Sequence, residues 1–238
     1  MKYVNILLIG LVLLFPGCTF LDVVPEGIIE SIESNFEERD QTENWFKYCH
    51  IWVSPFTTSV ISNPAYMGTD EVVAGTYLRE SGFNWSGLYI ADGLQRTFDP
   101  YCNMWRRDAV YNSIRYCNTF LEKVWGVYNM TDAEKKLWVA EIKALKAYYY
   151  FELLRHYGPF VVMDENIDPG VPVEDMKKER SPVDVCVEEI VSLLDEAMKD
   201  LPLMKDKERS RWAYHSLESA AALKAMTLFY AASPLVNG

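Results

Sequence analysis

Between Thr131 and Gly158 the chain has only one way to fold. Thr131-Asp132-Ala133-Glu134 is a helix-start pattern: the Thr131 hydroxyl can accept from the third backbone N–H while the Glu134 carboxylate reaches back. The sequon Asn129-Met130-Thr131 overlaps it and is read as part of the cap. Leu137, Ala140, Ala144, Ala147, Phe151 and Leu154 then recur at helical steps and form one apolar face. Gly158-Pro159 ends the run. Such a stripe gains its stability by packing, so other helices must cover it.

The rest of the chain supplies them. Trp45, Cys49 and Trp52, with Phe46 and Val53, predict a helix over Thr42–Val53 stopped by Pro55. From Trp105 to Trp125, the residues Val110, Ile114, Cys117, Leu121 and Val124 make a second stripe. Ser181 as cap, Pro182 in the first turn and Asp184 at the positive end open a third helix. Its stripe is Val183, Val187, Ile190, Leu194, Ala197 and Leu201, and Pro202 closes it. The last helix covers about Ser216–Ala232, with small faces at Ala220-Ala221-Ala222, Ala225, Ala231 and Ala232. In the run Tyr148–Tyr150, core packing is the expected role, with Tyr148 and Phe151 turned inward. The fold class is therefore all-α: an antiparallel series of helices with tetratricopeptide-like helix–turn–helix geometry, though without the 34-residue signature.

Residues 54–100 break this pattern. Pro55, Pro64 and five glycines interrupt any period, while Phe56, Tyr66, Tyr77, Phe83, Trp85, Tyr89 and Phe98 make the stretch ring-rich. A long irregular segment with this aromatic content points to function rather than disorder.

The first residues carry an address. Lys2 precedes an apolar run from Val4 to Phe15, too short to span a bilayer, and then Pro16-Gly17-Cys18. This is the pattern of a secretory signal, and Gly17-Cys18 looks like the end of a bacterial lipobox that makes Cys18 the acylated first mature residue. Cys49, Cys102, Cys117 and Cys186 show no C-x-x-C spacing, and free buried thiols are expected at Cys117 and Cys186. His50, His156 and His215 have no metal spacing, so no metal and no cofactor are expected. The net charge of −11, with no basic block, speaks against nucleic acid as a partner.

Four segments together resemble the SusD/RagB family of outer-membrane nutrient-binding lipoproteins. They are Cys18 through Leu21-Asp22 and Pro25; Trp105 with Tyr111, Ile114 and Asn118; Ala140-Glu141 through Leu145-Lys146-Ala147-Tyr148 to Tyr157-Gly158; and Arg180-Ser181-Pro182 with Ile190, Leu194, Ala197 and Leu201-Pro202, followed by Ala221 through Ala225 and Ala231 through Leu235 with Asn237-Gly238. Lys146 and Leu193 depart from the family's usual arginine and aspartate. The resemblance covers nearly this whole chain but only the first part of the family's length. It divides the chain into a lipoprotein signal peptide, 1–17, and the N-terminal part of a SusD-like helical domain, 18–238, cut short at its C-terminus.

The resemblance implies a surface-exposed protein, lipid-anchored to the outer membrane through Cys18. Such a protein captures oligo- or polysaccharide and passes it to a SusC-type TonB-dependent transporter. The alternatives are a RagB-type peptide-capturing protein, a protein-binding helical scaffold, or a glycoside hydrolase. No H-E-x-x-H, G-x-S-x-G or phosphate-loop pattern is present, and no catalytic residue is assigned. Sugar rings stack on flat aromatic faces and their hydroxyls need polar partners. Trp85 is therefore the leading ligand-binding candidate, with Asn84 beside it, Tyr66, Tyr77 and Tyr89 behind it, and Asp70 as an acceptor.

Overall fold

The computed structural model describes residues 32–53, 64–70, 72–73, 75–80, 86–94, 96–98, 104–105 and 109–237. Five long helices dominate: α1 (Arg39–Cys49), α2 (Val110–Lys123), α3 (Asp132–Tyr157), α4 (Val183–Ala197) and α5 (Leu217–Ala231). No β-strand occurs among the described residues, and no described helix is long and apolar enough to cross a membrane. The all-α, tetratricopeptide-like expectation is met. The signal segment, Cys18, Asn84, Trp85 and Cys102 lie outside the described residues.

Consecutive helices pack side by side and antiparallel. Along α1 and α2, Phe46 meets Phe120 and Tyr48 meets Tyr116, so one runs up as the other runs down. Lys143 of α3 pairs with Glu196 near the end of α4, while Lys146, one turn on, feels Glu189 nearer its start. Asp195 late in α4 holds Lys224 at the middle of α5, while Val183 and Val187 near the start of α4 line one groove with Leu228 and Ala231 near the end of α5. The core centres on rings: Phe46 lies 5.7 Å from Phe120, 5.1 Å from Trp138 and 4.9 Å from Tyr214. Each such pair adds about 0.5–1.5 kcal/mol beyond the burial of its area. Much of the chain's aromatic content is thus structural.

Helix α3 departs from the expected single stripe. Besides Ala140, Ala144, Ala147, Phe151 and Leu154, it buries Trp138, Glu141, Ile142, Leu145, Lys146, Tyr149, Tyr150, Glu152 and Leu153. The reason is its central position, with α2, α4, α5 and α1 all packed against it. Tyr149 and Tyr150 are fully buried, whereas Tyr148, expected inside, is only partly covered.

Several boundaries also move. Helix α1 starts and ends earlier than Thr42–Val53; the Cys49 carbonyl is taken by the Tyr149 hydroxyl, and Val53 is exposed. Helix α2 begins at Val110, so Trp105 stands outside it. Thr131 caps α3 through the Glu134 N–H at 3.2 Å, but the Glu134 carboxylate binds Arg39 at 2.7 Å instead of reaching back. Pro182 rather than Ser181 is the cap residue of α4: its carbonyl accepts the first helical bond, from the Cys186 N–H at 3.0 Å, and no side chain completes the cap. Ser216 and Ser219 cap α5 reciprocally. Cys49, Cys117 and Cys186 are free and buried, as expected for the last two.

The α3–α4 connection is stitched back onto the helices. The Tyr111 hydroxyl bonds both backbone groups of Val161 at 3.0 and 3.1 Å. The Tyr150 hydroxyl does the same for Met163 at 2.9 and 3.0 Å, and the Asn118 amide adds a third bond there. Gly158 turns the chain out of α3 with φ +68°, a conformation that glycine adopts without steric cost.

Candidate functional site

The described part of the ring-rich segment consists of three short helices, Pro64–Met67, Thr76–Glu80 and Ser86–Ala91. The first and third pack together through buried Met67 and Leu88, with Val72 against them. This small apolar clasp brings the helix carrying Tyr66 onto the helix carrying Tyr89. Tyr66 is about half exposed and Tyr77 is 84% exposed, so neither is spent on packing. Asp70 is also exposed, and Thr69 beside it donates to the Tyr66 carbonyl at 2.9 Å. Phe98 is exposed beneath the Arg96 guanidinium, 5.7 Å from its ring centre. Tyr66, Tyr77 and Phe98 can each offer a flat apolar face to a ring-shaped ligand.

A second aromatic group stands at the approach to α2. Trp105 is 38% exposed and lies 5.0 Å from Tyr111 and 5.8 Å from Tyr157. The Met104 N–H donates to the Tyr157 hydroxyl at 3.1 Å and holds this approach against the end of α3. Burial raises the Tyr111 phenol to about 12, so it stays protonated in its pair of bonds to Val161. Arg180 covers the Trp105 ring at 5.1 Å. The sequence places Trp105 in a helix and Arg180 before a cap, 75 positions later; no local pattern joins them.

The opposite chemistry fills a cleft of about 680 Å³ between α1, the start of α3 and residues 200–214. Its floor is Trp138, covered by the guanidinium groups of Arg39 at 5.2 Å and Arg211 at 5.0 Å. Beneath them Glu141 is fully buried and is paired with both Lys207 and Arg211. The Lys207 ammonium also donates to the carbonyls of Tyr214 and His215 at 2.9 and 2.7 Å. Arg39 is held by Glu43 and Glu134. These cations are committed to partners, so the cleft floor is a structural ion cluster rather than an anion trap. Nearby, burial drives His215 down to about 4 and also lowers His50, whose Nε2 has no hydrogen-bond partner among the described residues. No described group of His, Cys, Asp and Glu side chains is arranged to hold a metal.

Lys146, the departure from the family's arginine, is buried with its ammonium 5.5 Å from the Tyr150 ring. Desolvation lowers its ionisation, and Glu189 and Asp164 oppose that shift. Burial in turn raises the Glu189 carboxyl. A lysine suits this site as a single charge facing two carboxylates.

Comparison with known proteins gives one consistent result. The SusD-like model described as "Starch-binding associating with outer membrane" matches residues 36–230. Among solved structures, a SusD-like protein from Bacteroides fragilis aligns with TM-score 0.67 at 21% identity, over 83% of this chain and 36% of its own. A laminarin-binding SusD-like protein aligns with TM-score 0.62 at 20% identity, over 82% and 41%. Surface glycan-binding protein A from Bacteroides thetaiotaomicron, in complex with laminarihexaose, aligns with TM-score 0.59 at 15% identity, over 81% and 39%. The chain therefore spans well under half the length of these structures. No curated protein sequence matches it.

Proposed function

The chain belongs to the SusD-like family, and from this premise we propose that it serves glycan capture at the outer membrane: it holds an oligo- or polysaccharide without cleaving it and delivers it to a SusC-type TonB-dependent transporter. The reading rests on one observation above all. The segment between α1 and α2 keeps Tyr66 and Tyr77 open to solvent, while Met67 and Leu88 join the helix that carries Tyr66 to its neighbour Ser86–Ala91. Exposed rings on a fixed support are what sugar stacking requires, because a preorganised face loses little entropy on binding. Trp85, Asn84, Tyr89 and Asp70 complete the proposed binding face. Residues 1–17 act as the export signal, and acylation of Cys18 anchors the protein at the cell surface. Several acyl chains give stable anchoring, since each buried methylene contributes about 0.8 kcal/mol.

Affinity electrophoresis of the purified protein through gels containing a panel of polysaccharides tests capture. Retarded migration with no fall in polymer length supports it. Depolymerisation identifies an enzyme instead, and migration unaffected by every polysaccharide removes the glycan reading. Labelling cells with a fatty-acid analogue tests the anchor, with Cys18→Ser expected to abolish incorporation.

A further inference from the structure

We infer that Arg180, seated on Trp105, recognises the carboxylate of a uronic acid residue in a bound glycan. This deepens the glycan-capture reading and rests on it.

Among the described residues, other guanidinium groups are engaged differently from that of Arg180. Arg39, Arg155 and Arg211 are each paired with carboxylates: Glu43 and Glu134, Glu152, and Glu141. Arg180 is exposed and has no carboxylate partner among the described residues, in a chain whose net charge is −11. Arg96, Arg115 and Arg209 also lie over rings, but over the rings of Phe98, Tyr116 and Trp212, at most three positions away. Arg180 instead reaches a ring 75 positions distant. That ring is itself fixed by Tyr111 at 5.0 Å and Tyr157 at 5.8 Å. Tyr111 is anchored by its two bonds to Val161, and Tyr157 by the Met104 N–H. Immediately after Arg180, the Ser181 N–H is tied to the Phe160 carbonyl at 2.8 Å. The guanidinium is thus supported from below by an indole and from behind by a pinned backbone.

A planar guanidinium presents paired N–H donors whose spacing matches the two oxygens of a carboxylate. Holding that plane on an indole removes much of the side-chain freedom otherwise lost when an exposed arginine engages a ligand. The open part of Trp105 supplies apolar surface beside the fork. A sugar ring bearing a carboxylate at C5 has both features side by side: a C–H face and a flat anion. A neutral hexose offers only the first. Long-range repulsion from the acidic chain is screened beyond about 8 Å at physiological salt, so the local guanidinium governs the contact.

Isothermal titration of the full chain tests this with tetragalacturonate, its methyl ester, a guluronate tetramer and neutral laminarihexaose. The ester keeps every ring of the galacturonate and removes its charge. The expected result is tighter binding of at least one free uronate than of uncharged ligands, about tenfold for the acid over its ester, as charge-assisted hydrogen bonds provide. Arg180→Gln should bring that ratio close to one, and Arg180→Lys should leave an intermediate ratio. A role confined to packing would lower the thermal midpoint of Arg180→Gln without changing the ratio, and that result overturns the inference. Equal affinity for acid and ester in the parent protein overturns it as well. Binding of laminarihexaose with no binding of either uronate rejects the inference while capture stands. Binding of no glycan at all rejects both.

Discussion

The Tyr149 hydroxyl donates to the backbone carbonyl of Cys49 at 2.6 Å, across 100 positions of sequence. The bond is fully buried and ties the middle of α3 to the last residue of α1. It also explains why α1 stops there although the apolar spacing continues to Trp52 and Val53. Burial pushes the Tyr149 phenol far up, so the donor proton remains in place at any physiological pH. Tyr149→Phe leaves a buried carbonyl without its partner and should cost about 1–3 kcal/mol. Urea unfolding with an unchanged slope and a lower midpoint is the expected reading.

Glu141 is the keystone of the ion cluster under Trp138. Glu141→Gln leaves Lys207 and Arg211 facing each other inside the protein with no counter-charge. A loss of about 3–5 kcal/mol is expected, as for other buried pairs broken on one side. Glu141→Gln combined with Lys207→Met should recover part of it, and a double-mutant cycle measures how much.

Stability should fall as the solution is acidified. His215 is held near 4 and His50 is also lowered, so the folded protein keeps them neutral while unfolded imidazoles take up protons below about 6.5. A lowered histidine contributes its stability in full above the unfolded value and loses it as pH falls towards the folded one. For His215 that window runs from about 6.5 down to about 4, with a loss on the order of 2–3 kcal/mol. Thermal midpoints measured from pH 7 to pH 4.5 check the slope, and His215→Gln should flatten it.

Gly158 tests the turn out of α3. A Cβ there would meet no atom within 4 Å, so any cost of Gly158→Ala comes from the backbone at φ +68° and ψ −133°. About 1–3 kcal/mol is expected from holding alanine in that region. An alanine variant as stable as the parent, by denaturant midpoint, would show that the turn relaxes.

Tyr66→Ala and Tyr77→Ala separate binding from folding. Both side chains are exposed, so stability should change by less than about 0.5 kcal/mol. Retention on a polysaccharide gel that binds the parent should weaken. Unchanged retention in the double variant would remove these two rings from the binding face.

What the sequence determined by itself is the helical framework. Thr131 and Gly158 delimit α3 correctly, Ser216 opens α5, and the stripe Ile190, Leu194 and Ala197 faces the core, because capping and helical period are encoded within a few residues of where they act. The ring-rich, period-free character of the segment between α1 and α2 was legible too, but whether a given ring packs or faces solvent was not, and Tyr66 and Tyr77 prove exposed only in the fold. Tertiary structure alone decided where α1 ends and why α3 is buried on all sides. Each depends on partners far along the chain: Tyr149 on Cys49, and four neighbouring helices on α3. The same holds for Arg180 over Trp105 and for Glu141 between Lys207 and Arg211. Periodicity specifies which face of a helix is apolar, but only packing specifies which distant group meets it, because a buried hydrogen bond or ion pair forms where the folded chain brings its two halves together.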